Sequence, residues 1–189
     1  RRHITVLIAV ATAATTVAWA QLVRPRAADE YRLELKQPPG CAAYAGKATP
    51  HRFGGELLAI WEKSTPAGKG IMYVVGVRRQ GNFMVDQIAD SFQEFLAGAK
   101  IEGERFENFT VMGRPAMKFA LTGPGTGQTI AALSGEGATT VATYMEVVLT
   151  TNQWTDGSGT DFIQFVMACP QPAKDAVGES FRTLVHGTT

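Results

Sequence analysis

Residues 162–185 have the sequence FIQFVMACPQPAKDAVGESFRTLV, and this stretch decides the fold. Its first eight residues are apolar at nearly every position, which is typical of a β-strand covered on both faces. Pro170 and Pro172 stop the strand, because proline has no N–H to donate to a ladder, and Pro172 suits the first turn of a helix. Apolar residues then recur at helical spacing from Ala173 to Val185. The stretch therefore predicts a buried strand followed by an amphipathic helix.

The same patterns extend outward through the chain. Alternating or β-rich segments predict further strands at residues 31–35, 56–62, 70–78, 109–111, 117–121, 129–133 and 140–150. Residues 85–99 instead place apolar side chains at helical spacing. The order is three strands, a helix, about five strands and a closing helix. We expect an α+β protein, an αβα sandwich whose central, mainly antiparallel sheet is flanked by helices on both faces.

The first twenty residues differ in kind from the rest. Arg1 and Arg2 precede an uncharged run that ends in Ala18-Trp19-Ala20, and these are the parts of a secretory signal peptide cleaved after Ala20. The alternative is an uncleaved membrane anchor, which the threonines of the run disfavour. We expect a signal peptide at residues 1–20, a linker at 21–29 and one globular domain at 30–187. The protein would then be exported, periplasmic or extracellular, with no stable membrane span after cleavage.

Composition and charge exclude several classes of protein. With 189 residues, 45% hydrophobic and 19% charged, the chain is unlike disordered tails, fibres or disulfide-dense miniproteins. Removing residues 1–20 leaves 16 basic against 17 acidic residues, a net charge of −1. Without a basic stripe, nothing supplies the phosphate neutralisation that dominates nucleic-acid binding, so we expect no nucleic-acid partner.

The two cysteines, Cys41 and Cys169, survive the predicted cleavage. An oxidising compartment allows such a pair to persist as a disulfide, and we expect Cys41 and Cys169 to be bridged. The alternative is a pair of buried free thiols, which behave as small hydrophobic side chains.

Three local features are candidate binding sites. Residues 122–129 imitate a phosphate-binding loop but lack its first glycine and its lysine, so an ordinary hairpin loop is favoured. Asp156 and Asp161 flank a Gly- and Ser-containing turn and are weak candidates for a metal site that would take calcium. Trp154 lies beside them and is either a packed strand-end residue or part of a surface for a partner.

No set of residues predicts catalysis. His51 is the one histidine outside the leader and the chain terminus, and with two distant cysteines it predicts neither a zinc site nor a convincing dyad. Glu102, Glu104 and Glu107 are interpreted as a solvated face, and Arg78-Arg79 as a strand end in water. We therefore expect a protein that is not an enzyme and has no cofactor.

Several of these features resemble the PsbP/DcrB family of αβα sandwiches. They are the opening Tyr31-Arg32-Leu33-Glu34-Leu35 with Pro38-Pro39-Gly40, the helix at 85–99, the phrase Phe109-Thr110-Val111-Met112-Gly113-Arg114-Pro115-Ala116, and Ser180-Phe181 in the last helix. The resemblance covers about residues 29–185. It implies an exported accessory or assembly factor, an inference by analogy of fold.

Three hypotheses on function follow. The first is a non-enzymatic accessory protein that binds another protein of the cell envelope. The second is a module that binds a small ligand or metal ion in a cleft between the sheet and its loops, and the third is an uncharacterised hydrolase. A large apolar patch would favour the first, and a pocket of convergent polar groups the second.

Overall fold

The structure is a computed structural model that describes residues 30–45, 55–98, 101–122 and 142–189. In chain order its elements are β1 (Ala42–Ala43), β2 (Glu56–Thr65), β3 (Gly68–Gln80), α1 (Val85–Gly98), β4 (Glu102–Val111), β5 (Arg114–Thr122), β6 (Tyr144–Gln153), β7 (Gly159–Cys169), a 3-10 turn (Gln171–Ala173) and α2 (Lys174–Gly187). The predicted signal peptide, the linker at 21–29, His51, the loop at 123–129 and the strand at 129–133 lie outside the described residues.

The strands form one seven-stranded sheet in the order β1-β2-β3-β7-β6-β5-β4. Every pair of neighbours is antiparallel. This confirms the predicted α+β class. Strand β7, which the nearly continuous apolar run at residues 162–169 predicts to be buried, lies in the middle of the sheet, where both of its faces are covered.

The helices lie against opposite faces of the sheet. Phe165 of β7 belongs to the same buried cluster as Phe181 of α2, whereas its neighbour Val166 belongs to a second cluster with Ala89 of α1. Because successive side chains of a strand point to opposite faces, the two clusters are separated by the sheet. Helix α1 contacts β4, β5 and β6, and α2 contacts β7 and β2. Each helix thus covers only part of one face of the sheet, which is less than the predicted sandwich architecture implies.

The predicted strand at residues 31–35 is wrong. Tyr31 and Leu33 are buried, as their alternation indicated, but the segment joins no ladder. The Tyr31 ring packs so closely over Gly76 of β3 that a Cβ there would lie 2.5 Å from it, and the Glu34 N–H donates to the Thr189 carbonyl at 2.8 Å. The segment therefore crosses a face of the sheet, where alternate burial arises without strand pairing.

The predicted disulfide is also wrong, because Cys41 and Cys169 are both buried free thiols. The strand register supplies the reason. Ala42 pairs with Glu62, Glu62 with Ile71, and Ile71 with Ala168, so the two cysteines lie next to opposite ends of a row that crosses three strand spacings. At about 4.8 Å per spacing the Cα atoms are roughly 14 Å apart. A disulfide needs about 4.4–6.8 Å.

We expect both thiols to react with iodoacetamide after denaturation without reductant, and neither to react quickly in the folded protein. Burial raises the pKa of the Cys41 thiol and raises that of Cys169 to about 11, and the thiolate is the reactive form. Mass spectrometry of denatured, alkylated protein should show two added groups. An unmodified chain lighter by two hydrogens would contradict the free thiols.

Candidate functional site

A polar cleft of about 340 Å³ lies at the end of the sheet where β3 finishes and the β6–β7 hairpin turns. We call it the Arg78 cleft. It is lined by Glu30 and Arg32 of the crossing segment, by Arg78 of β3, by residues 152–156 of the hairpin and by Asp161 of β7. It brings together Trp154, Asp156 and Asp161, the three candidate binding residues predicted from the sequence.

The floor of the cleft is set by the strand register. Arg78 pairs with Asp161, and Asp161 pairs with Asn152. These three residues therefore form a row across β3, β7 and β6, and residues in one row share a face of the sheet. The turn of the β6–β7 hairpin, which follows this row, forms one wall of the cleft through Trp154, Thr155 and Asp156.

Arg78 contacts residues from β7, from the β6–β7 hairpin and from the segment that begins at Glu30. Its Nε donates to Asp161 Oδ1 at 3.2 Å, one terminal nitrogen donates to the Glu30 carbonyl, and the other lies 3.8 Å from Glu30 Oε2. The guanidinium carbon lies 4.9 Å from the ring centroid of Tyr31 and 5.9 Å from that of Trp154. Stacking and ion pairing together hold a planar guanidinium in one orientation. The prediction that Arg78 ends a strand in water missed these contacts.

Trp154 is half-buried and has a polar contact as well as a packed face. Its indole N–H donates to Asp161 Oδ1 at 2.8 Å. Its ring packs over Gly159, where a Cβ would lie 2.6 Å from three ring atoms. Asp161, whose side chain is 4% exposed, therefore accepts hydrogen bonds from two residues on opposite sides of it. Its carboxylate organises the cleft.

The weak metal candidates line the cleft without forming a cation cage. Asp156 Oδ1 accepts hydrogen bonds from the backbone N–H of Ser158 at 3.0 Å and from its hydroxyl at 2.7 Å. These hydrogen bonds lower the pKa of Asp156 and form the Asx turn expected of such a loop. Across the described ranges, no three His, Cys, Asp or Glu side chains are grouped to hold a metal ion.

Tyr31, whose ring packs against Arg78, makes the free energy of unfolding depend on pH in the alkaline range. Burial, and then the charge of Glu56, raise its pKa to about 12 from an ordinary value of 10. The folded protein keeps this proton at a pH where the unfolded chain has lost it, so the free energy of unfolding falls as pH rises from about 10 to about 12.

We expect Tyr31→Phe to lose less stability over this pH window than the wild type, because it removes the titrating hydroxyl and retains the ring under Arg78. Denaturant midpoints at several alkaline pH values test the difference. Identical pH profiles for the two proteins would contradict it.

One further contact resembles a catalytic pair. Lys63 Nζ donates to Ser180 Oγ at 2.5 Å, and that hydroxyl donates to the Pro39 carbonyl at 3.0 Å. Ser180 is 2% exposed. A serine nucleophile must reach its substrate and deliver its proton to a base, whereas this proton is held by a backbone carbonyl. Ser180 therefore fastens the Pro38-Pro39-Gly40 turn to α2.

A partly buried ion pair joins β5 and β6 in the other half of the sheet. Lys118 Nζ lies 3.0 Å from Glu146 Oε2, and the Tyr144 hydroxyl donates to Glu146 Oε1 at 2.5 Å. Both carboxylate oxygens of Glu146 are thus engaged across β5 and β6. Glu102, Glu104 and Glu107, which were expected to form a solvated face, are exposed on the edge strand β4.

Taken together, these features define an α+β protein with a polar cleft at one end of an antiparallel sheet. Within the described ranges, no helix combines the length and the apolar character required to cross a bilayer.

No protein-family model matches the chain, and no curated protein is significantly similar to it in sequence. Among solved structures it is similar to LpqN, described as involved in cell envelope biogenesis of Mycobacterium tuberculosis, with 11% identity and a TM-score of 0.53 over 83% of this chain and 82% of that one. It is also similar to the cyanobacterial PsbP of Synechocystis, with 11% identity and a TM-score of 0.42 over 83% and 85% of the two chains. The likeness to LpqN shows a shared fold.

Proposed function

We propose that the protein is an exported, non-enzymatic accessory protein of the cell envelope, a PsbP/DcrB-like αβα sandwich that binds another protein through the Arg78 cleft. The cleft is the observation that carries the proposal, because it is a concave site whose walls are held by side-chain contacts. Export is supported by the leader pattern at residues 1–20. A role in the envelope is supported by the shared fold with LpqN, and fold likeness supports function by analogy only.

Binding is favoured over catalysis by the way the polar groups are used. The charged groups at the centre of the cleft, Arg78 and Asp161, are engaged with each other and with Glu30 and Trp154. Ser180, which lies beside a lysine, is buried and donates to a carbonyl. These groups are arranged to hold a shape, whereas a hydrolase needs a nucleophile and base that face the substrate.

The contact with the partner is polar. Among the described residues, large hydrophobic side chains that are exposed are limited to Met84 and Phe106, and they lie after β3 and on the edge strand β4 respectively. The described surface thus offers little for a broad apolar interface. Arg32 and Asp156, exposed at the rim of the cleft, provide charges of both signs.

A small polar ligand is the second candidate, and the size of the cleft favours it. A volume of about 340 Å³ falls within the range of sites for small molecules. This reading predicts that a metabolite stabilises the protein against heat without any protein partner.

Site-specific crosslinking in an envelope extract tests the proposal. A photo-crosslinking amino acid replaces Thr155, which is exposed in the cleft, or Thr183, which is exposed on α2 and serves as the matched control. The full chain should form one defined adduct from Thr155, and Arg32→Glu should weaken it at least several-fold, while Arg182→Glu on α2 should not. Equal adducts from both positions would contradict a partner at the cleft. Absence of adducts, together with a metabolite that raises the melting temperature, would favour the ligand.

A further inference from the structure

Asn152 lies in the floor of the Arg78 cleft with its side-chain amide unused. The residue is 7% exposed and lines the cleft. Within the described part of the chain, no hydrogen bond joins its side-chain amide to any other group, and neither its oxygen nor its nitrogen is sealed from solvent. Both polar atoms of the amide therefore reach the cleft, where water or a ligand can bind them. A ligand that binds this amide breaks no hydrogen bond within the described protein.

The neighbours of Asn152 are engaged elsewhere. Asp161, beside it in the row, accepts from Arg78 and Trp154 through Oδ1. Gln153 points its amide to Asn82, donating from Nε2 to Oδ1 at 2.5 Å. The positive charge of Arg78 is balanced by Asp161 and Glu30. The floor therefore offers a neutral amide next to charges that are already paired.

This chemistry selects a neutral ligand with both a donor and an acceptor. A side-chain amide presents one carbonyl oxygen and two N–H groups in a plane. An anion would use only its N–H groups and a cation only its oxygen, whereas another amide can use both at once. A ligand that lacks one of these hydrogen-bonding groups should bind much more weakly, because the protein group that it would have paired with is then left without a partner.

We infer that Asn152 is a recognition residue for a peptide amide, which it binds through paired hydrogen bonds between its side chain and the N–H and C=O of a peptide backbone. This inference rests on the proposed function and deepens it, since it states which group of the partner the cleft contacts. The rim residues Arg32 and Asp156 lie outside this contact and would select the charges of neighbouring side chains.

Nuclear magnetic resonance of the ¹⁵N-labelled full chain tests the inference. The two side-chain N–H signals of Asn152 are assigned by their loss in Asn152→Leu. The probe is acetyl-trialanine N-methylamide at millimolar concentration, and its control is the same molecule with the central amide N–H replaced by an ester oxygen. The amide probe should shift the Asn152 signals, and the ester should bind at least tenfold more weakly. No shift with the amide, or equal shifts with both probes, would overturn the inference.

Asn152→Leu separates recognition from a structural role. The variant should keep or raise the melting temperature of the ligand-free protein while losing the binding of the amide probe. A variant that melts several degrees lower would show that the amide is structural and would overturn the inference. Asn152→Asp, which changes little in shape, should also lose the probe, because it replaces the donor with a carboxylate.

The inference and the proposed function can fail separately. If Asn152→Leu still forms the Thr155 crosslink at the wild-type level, the proposal of a protein partner is supported and recognition through Asn152 is overturned. If the amide probe shifts the Asn152 signals but no envelope protein is crosslinked at Thr155, amide recognition is supported and the proposal of an envelope protein partner is overturned. A free peptide captured from the extract in place of a protein would also support amide recognition and identify the other source of the same chemistry.

Discussion

Asp161→Ala is expected to lower the free energy of unfolding by about 2–3 kcal/mol and to open the Arg78 cleft. The substitution removes the acceptor of Arg78 Nε at 3.2 Å and of the Trp154 indole N–H at 2.8 Å. Because the Asp161 side chain is 4% exposed, water replaces it poorly on the Trp154 side. Arg78 is 41% exposed, so its share of the loss is small, since exposed ion pairs are weak.

Asp161→Asn is the matched control for this change. Its carbonyl oxygen can still accept from Trp154, while the charge opposite Arg78 is lost. We expect it to lose about half as much stability as the alanine variant. Denaturation followed by tryptophan fluorescence and by circular dichroism measures the free energy of unfolding of both variants. If alanine and asparagine cost the same, or if neither exceeds about 0.5 kcal/mol, Asp161 does not organise the cleft.

Gly76→Ala is expected to cost about 1–3 kcal/mol and to weaken binding at a site that it does not line. A Cβ at Gly76 would lie 2.5 Å from two ring carbons of Tyr31, a separation that forces the ring to move. Tyr31 is 3% exposed, so it can move only by lifting the crossing segment from the sheet. That movement withdraws the ring on which Arg78 stacks and displaces Glu30 from its ion pair.

Gly98→Ala provides the control for Gly76→Ala. It is also a glycine-to-alanine change, at the last residue of α1, where a Cβ would meet no atom within 4 Å. We expect its effect to lie within about 0.5 kcal/mol. Thermal unfolding together with the Thr155 crosslinking yield measures stability and binding in each variant. A stable Gly76→Ala protein with a normal crosslink would show that Tyr31 does not support the cleft.

Most elements of the fold could be predicted because their residues follow a simple period. The nearly continuous apolar run of β7 and the helical spacing of α1 and α2 depend on which faces are buried, and burial is encoded locally by hydrophobicity. The segment at residues 31–35 shows the limit of that information. Its alternation correctly indicated buried Tyr31 and Leu33, but a segment that crosses a sheet buries alternate residues just as a strand does.

The candidate site could be predicted only in part. Trp154, Asp156 and Asp161 were found because they lie within eight residues of one another in a turn-forming sequence. Glu30, Arg78 and Asn152 come from three distant parts of the chain, and no spacing along the sequence connects them. The available signal was the pair of amide residues, Asn152 and Gln153, that follows the apolar and β-branched run 147–151 of β6.

By itself, the sequence determined the α+β class, the central strand and the two helices, because periodic burial is a property of each segment and needs no knowledge of its neighbours. Only the tertiary structure decided which strands became adjacent. The antiparallel register set Cys41 and Cys169 too far apart to bond and aligned Arg78, Asp161 and Asn152 in one row. Distances across a sheet depend on pairing between remote segments, and that pairing is settled by the energy of the whole core.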